Sequence, residues 1–234
     1  MGAVYKREMK AYFTSPLGYI ITAVMVFLLG LYFNYMYSNA YGNISFVFMS
    51  ISSIALLIAP IITMRLISED KKQKVDQALF TSPVKLWKIV CGKFLAAFTL
   101  FMLPYAMTIV YQLILMLSGG DVNWFALLVD LLGMALLGAA ILAIGLFISA
   151  LTESQIIAGV FGLVVSFIIM QIDYFSETVS LDWFSNLCTS VSFLSRFNAF
   201  TSGKFDFSNI IFFLSVTVLF LFLTDIVLDR KRWA

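Results

Sequence analysis

Residues 17–64 contain no charged side chain at all. A run this long exceeds one membrane crossing, which needs about 20 apolar residues. The segment Ser38-Asn39-Ala40-Tyr41-Gly42-Asn43 is a turn by composition. The run therefore folds back on itself, with one span expected over 17–37 and a second over 44–64. It is also too long for a removable leader, whose apolar stretch runs about 7–15 residues, although Lys6, Arg7 and Lys10 precede it.

The rest of the chain repeats this pattern. Further spans are expected over 94–117, closed by Ser118-Gly119-Gly120-Asp121; over 124–151, where Asp130 is the one charge; and over 154–172 and 208–228. Only 12% of the residues are charged, against about a quarter in a soluble domain. Lipid is the solvent for most of this surface. The expected fold is all-α and polytopic, with six transmembrane helices in a single membrane domain over 1–234. Its parts are an amphipathic helix (1–16), the first two spans (17–64), a polar loop (65–93), two more spans (94–151), a fifth (152–172), an outer segment (173–207), and the last span with a basic end (208–234).

Of the 15 Lys and Arg residues, all but Arg196 and Lys204 fall on one side of this arrangement. The positive-inside rule puts that side in the cytoplasm, with both termini. Tyr32, Tyr35, Tyr37 and Tyr41 ring the outer end of the first span, and Trp124 opens the fourth. Such rings favour the headgroup layer.

Three segments are not spans. In 3–13, Tyr5, Met9, Tyr12 and Phe13 share one stripe while Lys6, Arg7 and Lys10 lie mainly elsewhere. That predicts a helix lying along the inner leaflet; the plainer alternative is a basic flank that happens to be helical. Thr14-Ser15-Pro16 then turns the chain, because proline disfavours helix in the residue before it. In 65–93, residues 72–80 form a short amphipathic helix with Val75, Ala78 and Leu79 on one side, stopped by Thr81-Ser82-Pro83. Its apolar edge suits a docking surface, and a solvated topogenic loop explains it equally well. The outer segment 173–207 holds Trp183, Phe184, Phe193, Phe197 and Phe200. It is expected to lie in the headgroup layer or to re-enter the bundle, with contact to a lipid-like substrate as the sharper alternative.

The chemistry on offer is sparse. The chain has no histidine, so His-based catalysis and most zinc sites are excluded. Cys91 and Cys188 lie on opposite sides of the membrane in this topology and cannot pair. Gly92-Lys93 has Phe94 where a phosphate-binding loop needs Ser or Thr, and Trp87 where its first glycine belongs. The net charge of +2 gives no reason to expect nucleic acid. Asp225 is expected to pair with Arg230 or Arg232. Asp130 lies about two turns inside the fourth span, where a carboxylate is costly. It is the candidate for a conduit residue, or for a membrane-embedded enzyme or an ion-coupled carrier. Ala158, Gly162 and Ser166 recur every fourth residue, as do Ala135, Ala139 and Ala143. Such stripes serve packing within a chain or between protomers. Pro60 and Pro104 are expected to kink their helices.

Several of these stretches carry a resemblance. They are Arg7-Glu8 with Ala11-Tyr12-Phe13-Thr14-Ser15-Pro16-Leu17-Gly18-Tyr19, Pro60 with Met64-Arg65 and Glu69, Leu79-Phe80-Thr81-Ser82-Pro83, and Gly92-Lys93-Phe94. Arg196-Phe197, Phe200, Gly203 and the closing Arg230-Lys231-Arg232-Trp233 belong with them. Together they resemble the permease subunits of ABC-2 type exporters, nearest the gliding-motility and nitrous-oxide-reductase-maturation branch. The resemblance implies a coupling helix over 72–80 that seats on a separate cytoplasmic ATPase. Glu69, Lys72, Val75, Asp76, Leu79, Phe80, Thr81 and Pro83 would then make that contact. Val75-Asp76-Gln77 departs from the threonine–acidic pair usual in relatives. The resemblance also implies a homodimer meeting through Ala158, Gly162 and Ser166, in a bacterial cell membrane. ATP and Mg would be bound by the partner, leaving this chain without a cofactor or an enzymatic activity.

Overall fold

The computed structural model describes residues 1–39, 43–72, 86–119, 122–178, 191–203 and 206–233; for 173–178 and 231–233 it describes the backbone only. The described residues are helical, with no strand among them. Helix α1 (Gly2–Thr14) leads through Ser15 into α2 (Pro16–Ser38), followed by α3 (Ser45–Thr63) and the short α4 (Ser68–Lys72). Then come α5 (Leu86–Met102), a 3-10 turn (Leu103–Ala106), α6 (Met107–Leu117), α7 (Trp124–Leu151), α8 (Gln155–Thr178), α9 (Phe193–Thr201) and α10 (Phe207–Trp233). Six stretches are long and apolar enough to cross a membrane: Pro16–Ser38, Ser45–Lys72, Leu86–Leu117, Trp124–Leu151, Gln155–Ile172 and Phe207–Arg230.

The third span starts at Leu86, about two turns before the expected position 94. Charge counting made Lys93 a boundary, but its ammonium is buried and paired, so the helix runs through it. The break in this span falls at Pro104, where the helix narrows to a 3-10 turn and resumes at Met107. Proline lacks the N–H that would continue the ladder. Pro60, by contrast, sits inside α3, which continues to Thr63. Ser15 adopts the extended backbone expected before Pro16, with φ −91° and ψ 154°.

Helix α7 is the centre of the bundle, because glycines let its neighbours approach. A Cβ on Gly133 would lie 3.0 Å from the Phe200 side chain of α9. One on Gly138 would lie 2.2 Å from the Phe101 ring of α5, and one on Gly145 2.2 Å from Thr63 Oγ1 of α3. Without a hydrophobic force between helices in lipid, close backbone approach supplies the packing. Helix α10 lies along α7 as well.

The aromatic residues that precede the last span turn inward. Ser192 caps α9 by accepting from the Ser195 amide at 3.0 Å. Phe193, Phe197 and Phe200 are buried on one face of α9. Gly133 lies nine residues into α7 (Trp124–Leu151), so Phe200 packs about 13 Å along α7 from its N-terminal end. Arg196 donates to Asn209 Oδ1 at 2.8 Å and stacks over Phe212, 4.3 Å from its ring centre. Trp183 and Phe184 lie outside the described residues, as does Cys188. Cys91 is free.

Candidate functional site

At the basic end, α1, residues 64–72 and the first turns of α5 meet around Lys93. Its ammonium sits 2.9 Å from Glu8 Oε1 and 2.7 Å from Asp70 Oδ2, and it also donates to the Leu66 carbonyl. Arg7 bridges the same two carboxylates from the surface side, 2.7 Å from Glu8 and 3.0 Å from Asp70. Burial works against the Arg7 charge, yet the bond to Glu8 and the nearness of Asp70 outweigh it and raise its pKa. Four charges thus balance where none could be buried alone.

Arg65 makes a second tie. It pairs with Glu69 at 3.0 Å, donates to Ser15 Oγ at 2.9 Å and lies 5.4 Å from the Tyr12 ring centre. A cleft of about 260 Å³ lies between the two ties, lined by Arg7, Glu8, Ala11, Arg65, Leu66, Glu69 and Asp70.

Helix α1 is held against the bundle by specific contacts. Its apolar side packs on α5, with Val4 against Gly92 and Tyr5 Oη donating to Thr99 Oγ1 at 3.3 Å. Tyr12 is fully buried, and its hydroxyl donates to the Ile62 carbonyl at 2.8 Å. That carbonyl belongs to the last turn of α3, which has no partner of its own within the helix. Tyr12→Phe is expected to cost about 1–3 kcal/mol by leaving it unsatisfied, read as a lowered melting temperature in detergent. Burial, with the Glu8 and Glu69 charges, also raises the Tyr12 pKa against the opposing pull of Arg65. Neutral Tyr12 therefore contributes stability below about pH 10, the value for an unfolded tyrosine. That contribution falls as pH rises past 10, and Tyr12→Phe should lack this alkaline decline.

A third joint ties residues 64–72 to the end of α7. Ser149 Oγ accepts from the amides of Ile67 at 3.2 Å and Ser68 at 3.1 Å, and donates to the Met64 carbonyl at 3.2 Å. The buried Lys71 ammonium donates to the Ala150 carbonyl.

Of the candidate residues, Glu69 and Lys72 belong to α4, Glu69 paired with Arg65 and Lys72 exposed. The structure places α4 at Ser68–Lys72; residues 73–80 of the helix expected over 72–80 lie outside the described residues. Val75, Asp76, Leu79, Phe80, Thr81 and Pro83 lie outside the described residues.

Ala158, Gly162 and Ser166 are turned into their own protomer. A Cβ on Gly162 would lie 2.8 Å from Pro60 Cβ, and Ala158 and Ser166 are buried. Within the chain the stripe seats α8 on α3, and the side left exposed carries Ile156, Val160, Phe161, Val164 and Phe167.

Asp130 is fully buried between α3 and α7. Its Oδ2 accepts from Ser45 Oγ at 2.7 Å, and Oδ1 has no partner among the described residues. Asp225 has no ion-pair partner among them either. Arg230 is five residues on, a spacing that does not share a helix face, and the Arg232 side chain lies outside the described residues.

The sequence reasoning missed Glu8, Asp70, Lys71, Lys93 and Ser149. Glu8 carried a signal: it falls three and four residues from Tyr5 and Tyr12, a lone acid on the apolar stripe. Such a charge needs a buried partner.

The fold and this end define a polytopic membrane protein whose charged machinery gathers an entry helix and the loop after the second span. Residues 1–176 match the ABC-2 type transporter family, and the chain belongs to that family. It is a transmembrane permease component of an ABC transporter. The match runs from α1 almost to the end of α8; α9 and α10 lie beyond it. No curated protein matches the chain.

Proposed function

We propose that the chain is the membrane subunit of an ABC-2 type exporter, working as a homodimer with two cytoplasmic ATPase subunits that bind ATP and Mg. The basic end is then cytoplasmic, as are both termini, in a bacterial cell membrane, and the chain sits near the gliding-motility and nitrous-oxide-reductase-maturation branch. The observation that carries this reading is the junction around Lys93. Residues 73–85 follow α4 in the sequence, and α4 is tied through Asp70 to both α1 and α5.

A coupling helix over 72–80 would receive the stroke of ATPase closure. Asp70 would pass it to Arg7 and Lys93 as a displacement of charged groups that cannot separate cheaply. The exposed side of α8 is one apolar face open to a second protomer or to lipid. Asp130, held by Ser45 away from the surface, fits a place in helix packing better than one as a catalytic acid or a carrier site.

Charge substitutions at Val75, Leu79 and Phe80 together are expected to release the ATPase. Co-purification should fall at least tenfold, a loss of about 1.4 kcal/mol or more, and permease-dependent ATP turnover should fall with it. Unchanged co-purification and turnover would rule the docking out.

A further inference from the structure

We infer that α3 and α7 move as one body during transport, and that Ser149 and Lys71 are the positioning residues that deliver the coupling segment's displacement to it. The inference rests on the ATPase-coupled reading above. It concerns a different question, namely which helices travel together.

The two helices are joined at both ends. At the outer end, Ser45 Oγ donates to Asp130 Oδ2 at 2.7 Å, out of contact with the surface. Toward the other end, Thr63 fills the space that a side chain on Gly145 would need. Just past it, Ser149 takes the amides of Ile67 and Ser68 and returns a bond to the Met64 carbonyl. Helix α3 has ended at Thr63, so these groups have left its regular ladder, and α7 satisfies them in its place.

Lys71 completes the joint. Its ammonium meets the Ala150 carbonyl at the C-terminal end of α7 (Trp124–Leu151), where unpaired carbonyls and the helix dipole favour a cation. Neighbouring residues on α4 therefore point to different bodies: Asp70 to α1 and α5, Lys71 to α7.

From Ser45 to Thr63 α3 spans about 27 Å, so the outer and inner joints sit at opposite ends of the pair. Sliding by one turn, about 5.4 Å, would break both joints at once and drive Thr63 into a new part of α7. Helix α2 offers a contrast: it buries only the narrow stripe of Gly18, Ile21, Met25, Leu29 and Met36. Among the described residues α2 has no polar bond to α7, so a shift of α2 relative to the pair breaks none of these joints.

The test uses the full permease assembled with its ATPase in nanodiscs, with Cys91 and Cys188 replaced by serine. Spin labels go on the exposed Met49 of α3, Phe125 of α7 and Tyr37 of α2. Labelled protomers are diluted with unlabelled ones so that distances are intramolecular. On trapping with ATP and orthovanadate, the 49–125 distance is expected to hold within about 2 Å, while the 37–125 distance shifts by more. Lys71→Met and Ser149→Ala should at least halve the 37–125 shift while the ATPase stays bound and hydrolyses ATP. Lys71→Arg should restore the shift.

Separation of labels 49 and 125 on trapping overturns the single-body inference, and this measurement needs no variant of the joint. A full 37–125 shift in both Lys71→Met and Ser149→Ala overturns the positioning role. Failure of the unmutated permease to bind the ATPase overturns the functional reading instead, so the two failures are told apart.

Discussion

Lys93→Met is expected to cost roughly 3 kcal/mol or more and to loosen α1 from the bundle. The Lys93 side chain is only 3% exposed, and its ammonium holds Glu8 and Asp70 together. Removing one partner of a buried ion pair costs about 3–5 kcal/mol, because the remaining charge is stranded. Here two carboxylates would be stranded side by side. Arg7 still reaches both, but at 41% exposure its attraction is weakened by water. The cost should therefore lie toward the lower end of that range. Thermal unfolding in detergent measures it, and a faster proteolytic release of the first turns of α1 should accompany it. Adding Glu8→Gln to Lys93→Met should recover part of the loss, since one stranded charge is gone. A single variant as stable as the parent would show that the cluster is not a structural tie.

Gly138→Leu is expected to abolish folding, and Gly138→Ala to cost about 1–3 kcal/mol, the usual range for overpacking. Even a Cβ would lie 2.2 Å from Cε1 of Phe101. The ring has little room to yield, being 2% exposed and packed against Tyr105 at 5.5 Å between ring centres. Tyr105 in turn stacks on Phe48 at 6.1 Å. Relief must come from Phe101 itself, so Phe101→Leu should recover stability in the Gly138→Ala background while destabilising the parent. Melting temperatures of the four combinations form the cycle that decides it. Full tolerance of leucine at 138 would mean that α5 and α7 do not approach as described.

Much of this architecture could be read from composition and order. The fourth span runs from Trp124 to Leu151, the bounds that its apolar length predicts, and Asp130 lies inside it as expected. The amphipathic entry helix and the turn at Ser15-Pro16 were equally legible, since stripe periodicity and proline stereochemistry are local properties. Lys93 was not legible. Its charge resembles a helix boundary until Glu8 and Asp70, distant in the chain, are brought against it. The stripe of Ala158, Gly162 and Ser166 was visible as a seam, but spacing does not say which helix fills it, and Pro60 of the same chain does. The same holds for Phe193, Phe197 and Phe200: their aromatic character marked a membrane-depth segment, and only packing on α7 turned them inward.

The sequence by itself determined the number of crossings, their approximate limits and which end of the bundle is basic. Each of these depends on one segment's transfer from water to lipid, a quantity that accumulates along the chain. Tertiary structure alone decided that α7 is central, that α8 leans on α3, and that Lys93 and Ser149 are junctions. In lipid every apolar helix face is solvated about equally well, so neighbours are chosen by shape and by the few polar groups that need partners. Those choices are made between residues far apart in the chain, where no local pattern records them.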